Sequence, residues 1–454
     1  MARQLSGIFL TRENLIPLER LSPGRRRSPR RESREFARPA AHALWLRTVA
    51  ILVLAGSATA QNLANWNTGA GNWGHANNWD CVVDGVSGHC IPGSGFAVTN
   101  IGGDITLDVN ASVARIMGTA GSLTLSGKTL TATDPLGIQI NGGSVTLSGS
   151  SVINGLLITS NLQVQNSTIN GNVQAFNANI AGGSLGSLTI ANQLTAVNST
   201  FGSSSNLTIS QPSSISNSTI GGQFNINLGA SLTVDSGSTI NSTQTLISVG
   251  SLTLQGGSTW NAASPVFMGL SPGAAALDVT GSGSVLNLTN APLELGQIAS
   301  SAVTVEHGGS IAATGAGGNF LIGLGAVFPT DSSMTVNSGG TASASNITVE
   351  GSAIGSTGLL SVSDASSGVT AAGQLLVANG GVVNAANQGS LTADSLRIQS
   401  GSVTIDSGAT FNLTSDTAVL VGSGGLAFSP SREAERLALP ENWFSARAPR
   451  QAAP

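Results

Sequence analysis

Tyrosine is absent from the 454 residues of this chain, aromatic residues make up 4% of it and charged residues 9%. A chain this poor in acid, base and ion-pair groups is not built like an ordinary compact enzyme. Cysteine is nearly absent too, Cys81 and Cys90 being the whole complement. Two cysteines in one short segment suit an exported protein with a single small disulfide loop, closed after the chain leaves the reducing cytoplasm. Cations are scarce in the body: residues 48–425 hold only Arg115, Lys128 and Arg397 against fifteen Asp and Glu. Binding to nucleic acid by counterion release needs clustered Lys and Arg, so a nucleic-acid partner is excluded.

What the chain has instead is 59 glycines, abundant Ser, Thr and Asn, and Val, Ile and Leu spread throughout. Disordered chains are poor in branched aliphatic residues and rich in charge, the reverse of this composition. The apolar content is enough for a long core if each short apolar run stacks on the next.

Residues 1–46 are Arg-rich and Pro-punctuated, a composition that builds no core. They read either as an extended signal or basic arm, or as a start codon placed too early. Residues 47–60 carry a cation, an apolar run of about nine residues and Ala58-Thr59-Ala60, the pattern of a secretory signal peptide cut between Ala60 and Gln61. The apolar run is shorter than the roughly 20 residues a spanning helix needs, so no permanent membrane span is expected in the mature chain. Gln61 at the cut, rather than Cys, argues against a lipoprotein anchor. The expected location is secreted or cell-surface, with outer-membrane association left open.

Between residues 96 and 425 a short alternating unit recurs, as in Ser122-Leu-Thr-Leu125, Ser144-Val-Thr-Leu147, Ser187-Leu-Thr-Ile190, Asn206-Leu-Thr-Ile209, Ser231-Leu-Thr-Val234 and Ser251-Leu-Thr-Leu254. The starts give a period of about 21 residues with one diverged copy between 144 and 187, the mark of a solenoid. Alternation puts one set of side chains inward and the other outward, as a half-buried strand requires. Corners such as Asn141-Gly142-Gly143, Asp235-Ser-Gly237, His307-Gly308-Gly309 and Ser338-Gly339-Gly340 are expected to supply turns with positive φ. The fold class expected is all-β: a right-handed parallel β-helix of about fifteen coils, on the order of 70 Å long at ~4.8 Å per coil. Residues 61–95 form a Trp-rich N-terminal cap with the disulfide loop. Residues 426–454 drop the repeat chemistry, as a solenoid cap or as the product of a shifted reading frame.

The cap segment Trp66-Asn-Thr-Gly-Ala-Gly-Asn-Trp73-Gly-His-Ala-Asn-Asn-Trp79 resembles the opening of bacterial autotransporter-type passenger proteins. Ala276-Leu-Asp-Val-Thr-Gly-Ser-Gly-Ser284 with Leu293-Glu-Leu-Gly296 and Val303-Thr-Val-Glu-His-Gly-Gly309 is similar to the repeat associated with autotransporter and PEP-CTERM proteins. The resemblance implies an exported passenger used in adhesion, aggregation or matrix formation, with a cell-surface or matrix polysaccharide or protein as partner. Neither a translocator barrel nor a sorting tail follows residue 425, so a truncated remnant of a longer autotransporter is an alternative.

Parallel β-helices also include polysaccharide-degrading enzymes, which need paired carboxylates or a cation beside metal-binding acids. Asp104 and Asp108 have same-side parity but lie about 13 Å apart along a strand. Arg115, Lys128 and Arg397 stand alone in the sequence, so no catalytic residue and no cofactor is expected. His75, Cys81, His89 and Cys90 make a poor zinc set because adjacent His89 and Cys90 crowd one tetrahedral centre. A Cys81–Cys90 disulfide is the expected pairing, and no metal site is expected. Trp66, Trp73 and Trp79 either contact a sugar or cap the open end of the solenoid. The Asn-x-Ser/Thr triplets at Asn166, Asn198, Asn206, Asn217, Asn241, Asn287, Asn346 and Asn412 read as turn and ladder residues.

Overall fold

The computed structural model describes residues 62–421 except 324–330, 352–354, 407 and 416–418. The expected signal cut at Ala60 and Gln61, the N-terminal extension and the C-terminal tail lie outside the described residues. The described chain is a parallel β-solenoid in which strands pair with those of the preceding and following coils. The antiparallel exception is the cap, where Asn62–Trp66 pairs with Trp79–Val83, and Trp79–Val83 with Val86–His89. Parallel stacking nonetheless begins at Asn62–Trp66, which pairs with Phe96–Ile101, so the cap is itself the first rung. No helix among the described residues is long and apolar enough to cross a membrane.

Each coil has three faces. On the first, register partners run Ile101, Gly118, Ile140, Thr159, Ala175, Ile190, Leu207, Phe224, Thr245, Val266, Leu293, Phe320, Ile347, Leu375, Leu396 and Val419. Sixteen rungs between Ile101 and Val419 come close to the coil count and the average period expected. The second face stacks Leu107, Leu125, Leu147, Val164, Ile180 and Ala196, and continues to Ile405. The third stacks Leu130, Ile153, Ile169, Leu185 and Phe201, then Ile240, Trp260, Leu286 and Ile311. From Ile101 to Leu396 the inward columns are buried and belong to one continuous core, with Ile405 partly buried against it. Each fully buried aliphatic side chain contributes roughly 1.5–3 kcal/mol, which stacking secures and an isolated coil would forfeit.

The single repeat motif proves to be two. Ser122–Leu125, Ser144–Leu147, Ser231–Val234 and Ser251–Leu254 lie on the second face. Ser187–Ile190 and Asn206–Ile209 lie on the first. Between Leu147 and Val234 the second face advances five rungs, through Val164, Ile180, Ala196 and Ile215, one more than the motif spacing implies. Along the first-face column the shortest step runs from Ala175 to Ile190, and the longest, nearly twice as long in sequence, from Ile347 to Leu375. The uniform period is therefore an average over coils of different size.

Corners follow two physical rules. At the junction of the second and third faces the backbone enters the left-handed region, at Asn198 (φ 51°), Asn217 (φ 45°), Ser236 (φ 54°), His307 (φ 52°) and Ser338 (φ 49°). Asn tolerates this conformation best among non-glycine residues. The Asn141-Gly142-Gly143 corner differs from expectation: neither glycine has positive φ. A Cβ on Gly143 would overlap the Gly121 carbonyl oxygen, so glycine is required there by the close approach of adjacent coils.

A buried serine stack lines the junction of the second and third faces. The Ser199 amide donates to Ser218 Oγ at 3.0 Å, the Ser218 amide to Ser238 Oγ at 3.3 Å, and the Ser151 amide to Ser167 Oγ at 3.2 Å. Each hydroxyl donates in turn to a nearby carbonyl, as Ser238 does to Asp235 O at 2.6 Å. Buried corner amides thereby gain acceptors that regular strand pairing cannot supply.

Candidate functional site

The outward side chains differ sharply between faces. The third face presents two ranks at two-residue spacing. One rank runs Thr129, Val152, Thr168, Ser184, Thr200, Thr219, Thr239, Thr259, Val285, Ser310, Thr341, Gly368, Ser390 and Thr410. The other includes Thr131, Asn154 and Asn170, then Gly221, Asn241, Asn261, Asn287, Ala312, Ser343, Thr370, Thr392 and Asn412. Neither rank contains an ionisable residue. Asp104 and Asp278 point outward from the second face, and Arg115, Glu294 and Arg397 occupy the alternate, outward positions of the first.

Asparagines on this third face are wired to one another. Asn261 Nδ2 donates to Asn241 Oδ1 at 2.9 Å and Asn287 Nδ2 to Asn261 Oδ1 at 3.0 Å, while Asn170 donates to Asn154 at 2.9 Å. Parallel register stacks identical amides one rung apart, which sets up this head-to-tail bonding. Other amide pairs lie elsewhere: Asn177 donates to Asn161, Asn217 to Asn198, and Asn346 to Asn319. Of the triplet asparagines, Asn166, Asn198 and Asn217 thus serve as turns, and Asn241, Asn287 and Asn346 as ladder members.

Several titratable groups outside this face have structural partners. Asp108 Oδ1 accepts the Gly74 amide at 2.6 Å and ties the cap to the second coil. Asp104 Oδ1 accepts from Ser122 Oγ at 2.6 Å on the next rung. Arg115, which stands alone in the sequence, is 3.4 Å from Asp134 in a half-buried ion pair, and Arg397 lies beside the Gln399 amide. Asp278 is half-buried between Thr253 and Thr304 in the outward second-face ladder. Burial raises its pKa, a hydrogen bond with Thr304 opposes the rise, and the Glu306 charge adds to it. Among the described residues no group of three or more His, Cys, Asp or Glu is placed to hold a metal ion.

The cap residues are brought together as packing. Trp66, Trp73 and Trp79 are 5%, 0% and 0% exposed, so of the two readings, sugar contact and end cap, their burial fits the cap. Trp79 meets Trp66 and Trp73 edge-on, at ring separations of 4.8 and 4.7 Å. Its Nε1 donates to the Trp73 carbonyl at 2.8 Å. Together they cover the apolar end of the core. Cys81 and Cys90 are joined in a disulfide that closes the hairpin, which removes both thiols from any zinc set with His75 and His89. His89 Nδ1 is 3.0 Å from the Trp79 carbonyl oxygen.

The serine stack and the neutral third face were not foreseen from the sequence. The signal for both was present as a second repeat, Asn198-Ser-Thr-Phe201, Asn217-Ser-Thr-Ile220, Gly237-Ser-Thr-Ile240 and Gly257-Ser-Thr-Trp260, with Ser inward, Thr outward and the apolar residue in the core. No protein-family model, curated protein or solved structure matches this chain, so what it does is argued from these ladders and their chemistry.

Proposed function

We propose that the chain is an exported structural or binding β-solenoid of the autotransporter-passenger type, acting as a surface adhesin, aggregation factor or extracellular-matrix component. The observation that carries this reading is the repetition of outward side chains. One face offers hydroxyls and amides again and again along a single direction, over fourteen rungs from Thr129 to Thr410. Such a surface suits many weak contacts made at once, where avidity multiplies a small affinity per contact. Catalysis asks for the opposite, a few groups converging on one reacting centre.

Asp278 favours a second reading, a glycan-degrading enzyme. A carboxyl with a raised pKa near a second carboxylate, here Glu306, is the pairing that glycoside hydrolysis uses. One experiment separates the two. The purified chain is tested for adherence to cells and to immobilised polysaccharides while soluble reducing sugar is measured in the same wells. Adherence without sugar release is expected; sustained glycan cleavage that Asp278→Asn abolishes would replace the binding reading with the enzymatic one.

A further inference from the structure

We infer that the uncharged third face, centred on the rungs of Thr239/Asn241, Thr259/Asn261 and Val285/Asn287, is the contact surface for a neutral polysaccharide lying along the stack. The inference rests on the binding reading above and names its face and ligand class.

Charge decides the class. Fifteen carboxylates against three cations make the body acidic, and the ranks of this face contain none of either. An anionic glycan would be repelled by the body and find no Lys or Arg on this face to hold it. A protein partner would be expected to use aromatic or Arg anchors, and neither occurs in these ranks. A neutral polyol asks only for donors and acceptors.

The side chains supply both. An amide donates through its nitrogen and accepts at its oxygen, and a threonine hydroxyl does both, matching sugar hydroxyls that do the same. Asn261 donates one N–H to Asn241 and accepts one from Asn287, which leaves its second N–H and second lone pair for a ligand. The ladder holds these groups in place before binding, so little side-chain freedom is lost when a ligand arrives. Rungs repeat at ~4.8 Å, close to the length of one pyranose unit in an extended glycan, so successive sugars meet successive rungs.

The test uses the full chain in co-sedimentation with cellulose and with an insoluble β-1,3-glucan, and affinity electrophoresis in a galactomannan, with alginate as the anionic comparison. Retention by at least one neutral probe, unchanged between low and high salt, is expected, with none by alginate. Asn241→Ala combined with Asn261→Ala is expected to weaken retention tenfold or more, whereas Thr233→Ala with Thr253→Ala on the second face leaves it unchanged. Thr239→Lys, one charge at an outward position, is expected to weaken it similarly and serves if the asparagine pair fails to fold. Retention that survives both third-face variants overturns the assignment of the face. Absence of neutral-glycan retention while cell adherence persists overturns the ligand class and leaves the binding reading standing. So does self-association that the third-face variants abolish without any glycan retained, which would make a second copy the occupant. A chain that adheres to nothing removes the broader reading as well.

Discussion

From Ile140 to Phe224 the solenoid climbs five rungs, whereas the longer stretch of chain from Val266 to Leu375 climbs only four. Both regions keep the same three faces and buried columns. Most of the surplus sits at the junction of the first and second faces, as in residues 269–274 and 296–300. In the narrow region that junction is a tight corner such as Asn141-Gly142-Gly143; in the wide one the connections 269–274 and 296–300 each begin at a glycine, Gly269 and Gly296. A Cβ on Gly323, at φ 87°, would overlap the Glu350 carbonyl oxygen. Rung stacking is set by the faces, while coil length is free to vary wherever a loop can leave the stack at little closure cost.

Substitutions can break this comparison at chosen places. Trp260 lies where narrow coils give way to wide ones, packing on Phe224 with ring centroids 4.9 Å apart and donating to Ser242 Oγ at 2.8 Å. Trp260→Ala should cost roughly 3–5 kcal/mol and leave Ser242 Oγ with only the Thr245 hydroxyl as donor. Because solenoid stability is a sum of neighbouring interfaces, denaturant unfolding should split into two transitions, one per region. Replacing Cys81 and Cys90 with Ser should remove roughly 2–3 kcal/mol. Hydrogen exchange should then quicken first in the cap and the narrow coils beside it, with the wide region unaffected.

Gly143→Ala and Gly323→Ala probe the same junction in the two regions, each at an expected cost of roughly 1–3 kcal/mol by thermal melting. The causes differ, contact alone at Gly143 and contact plus positive φ at Gly323.

The smallest effect belongs to Asp278 in the wide region. Its folded pKa is raised, so the folded state holds the proton more tightly than the unfolded chain does. Stability should fall as pH rises from the ordinary carboxyl value through the raised one, then level off. Asp278→Asn should flatten that segment of the stability profile and slightly stabilise the protein at neutral pH.

The architecture was legible because the alternation of Leu, Val and Ile with Ser and Thr survives in nearly every coil. Its finer organisation was not, because Ser-Leu-Thr-Ile suits the first face as well as the second, and a motif that fits two faces cannot report which one it occupies. The cap tryptophans show the same limit. Spacing groups Trp66, Trp73 and Trp79, but only the antiparallel turn of Trp79–Val83 back onto Asn62–Trp66 decides that their rings face one another. Arg115 found its partner, Asp134, through a contact with the next coil, set by coil length rather than by any local pattern.

Coil length is also where the fold is most directly tested. Spin labels at Thr146 and Thr253 lie six rungs apart on the second face, and labels at Thr253 and Ser361 lie four rungs apart, although each pair spans nearly the same length of chain. At ~4.8 Å per rung, pulsed dipolar spectroscopy should return about 29 Å for the first pair and about 19 Å for the second. Equal distances for the two pairs would mean uniform coils and would contradict the division into narrow and wide regions.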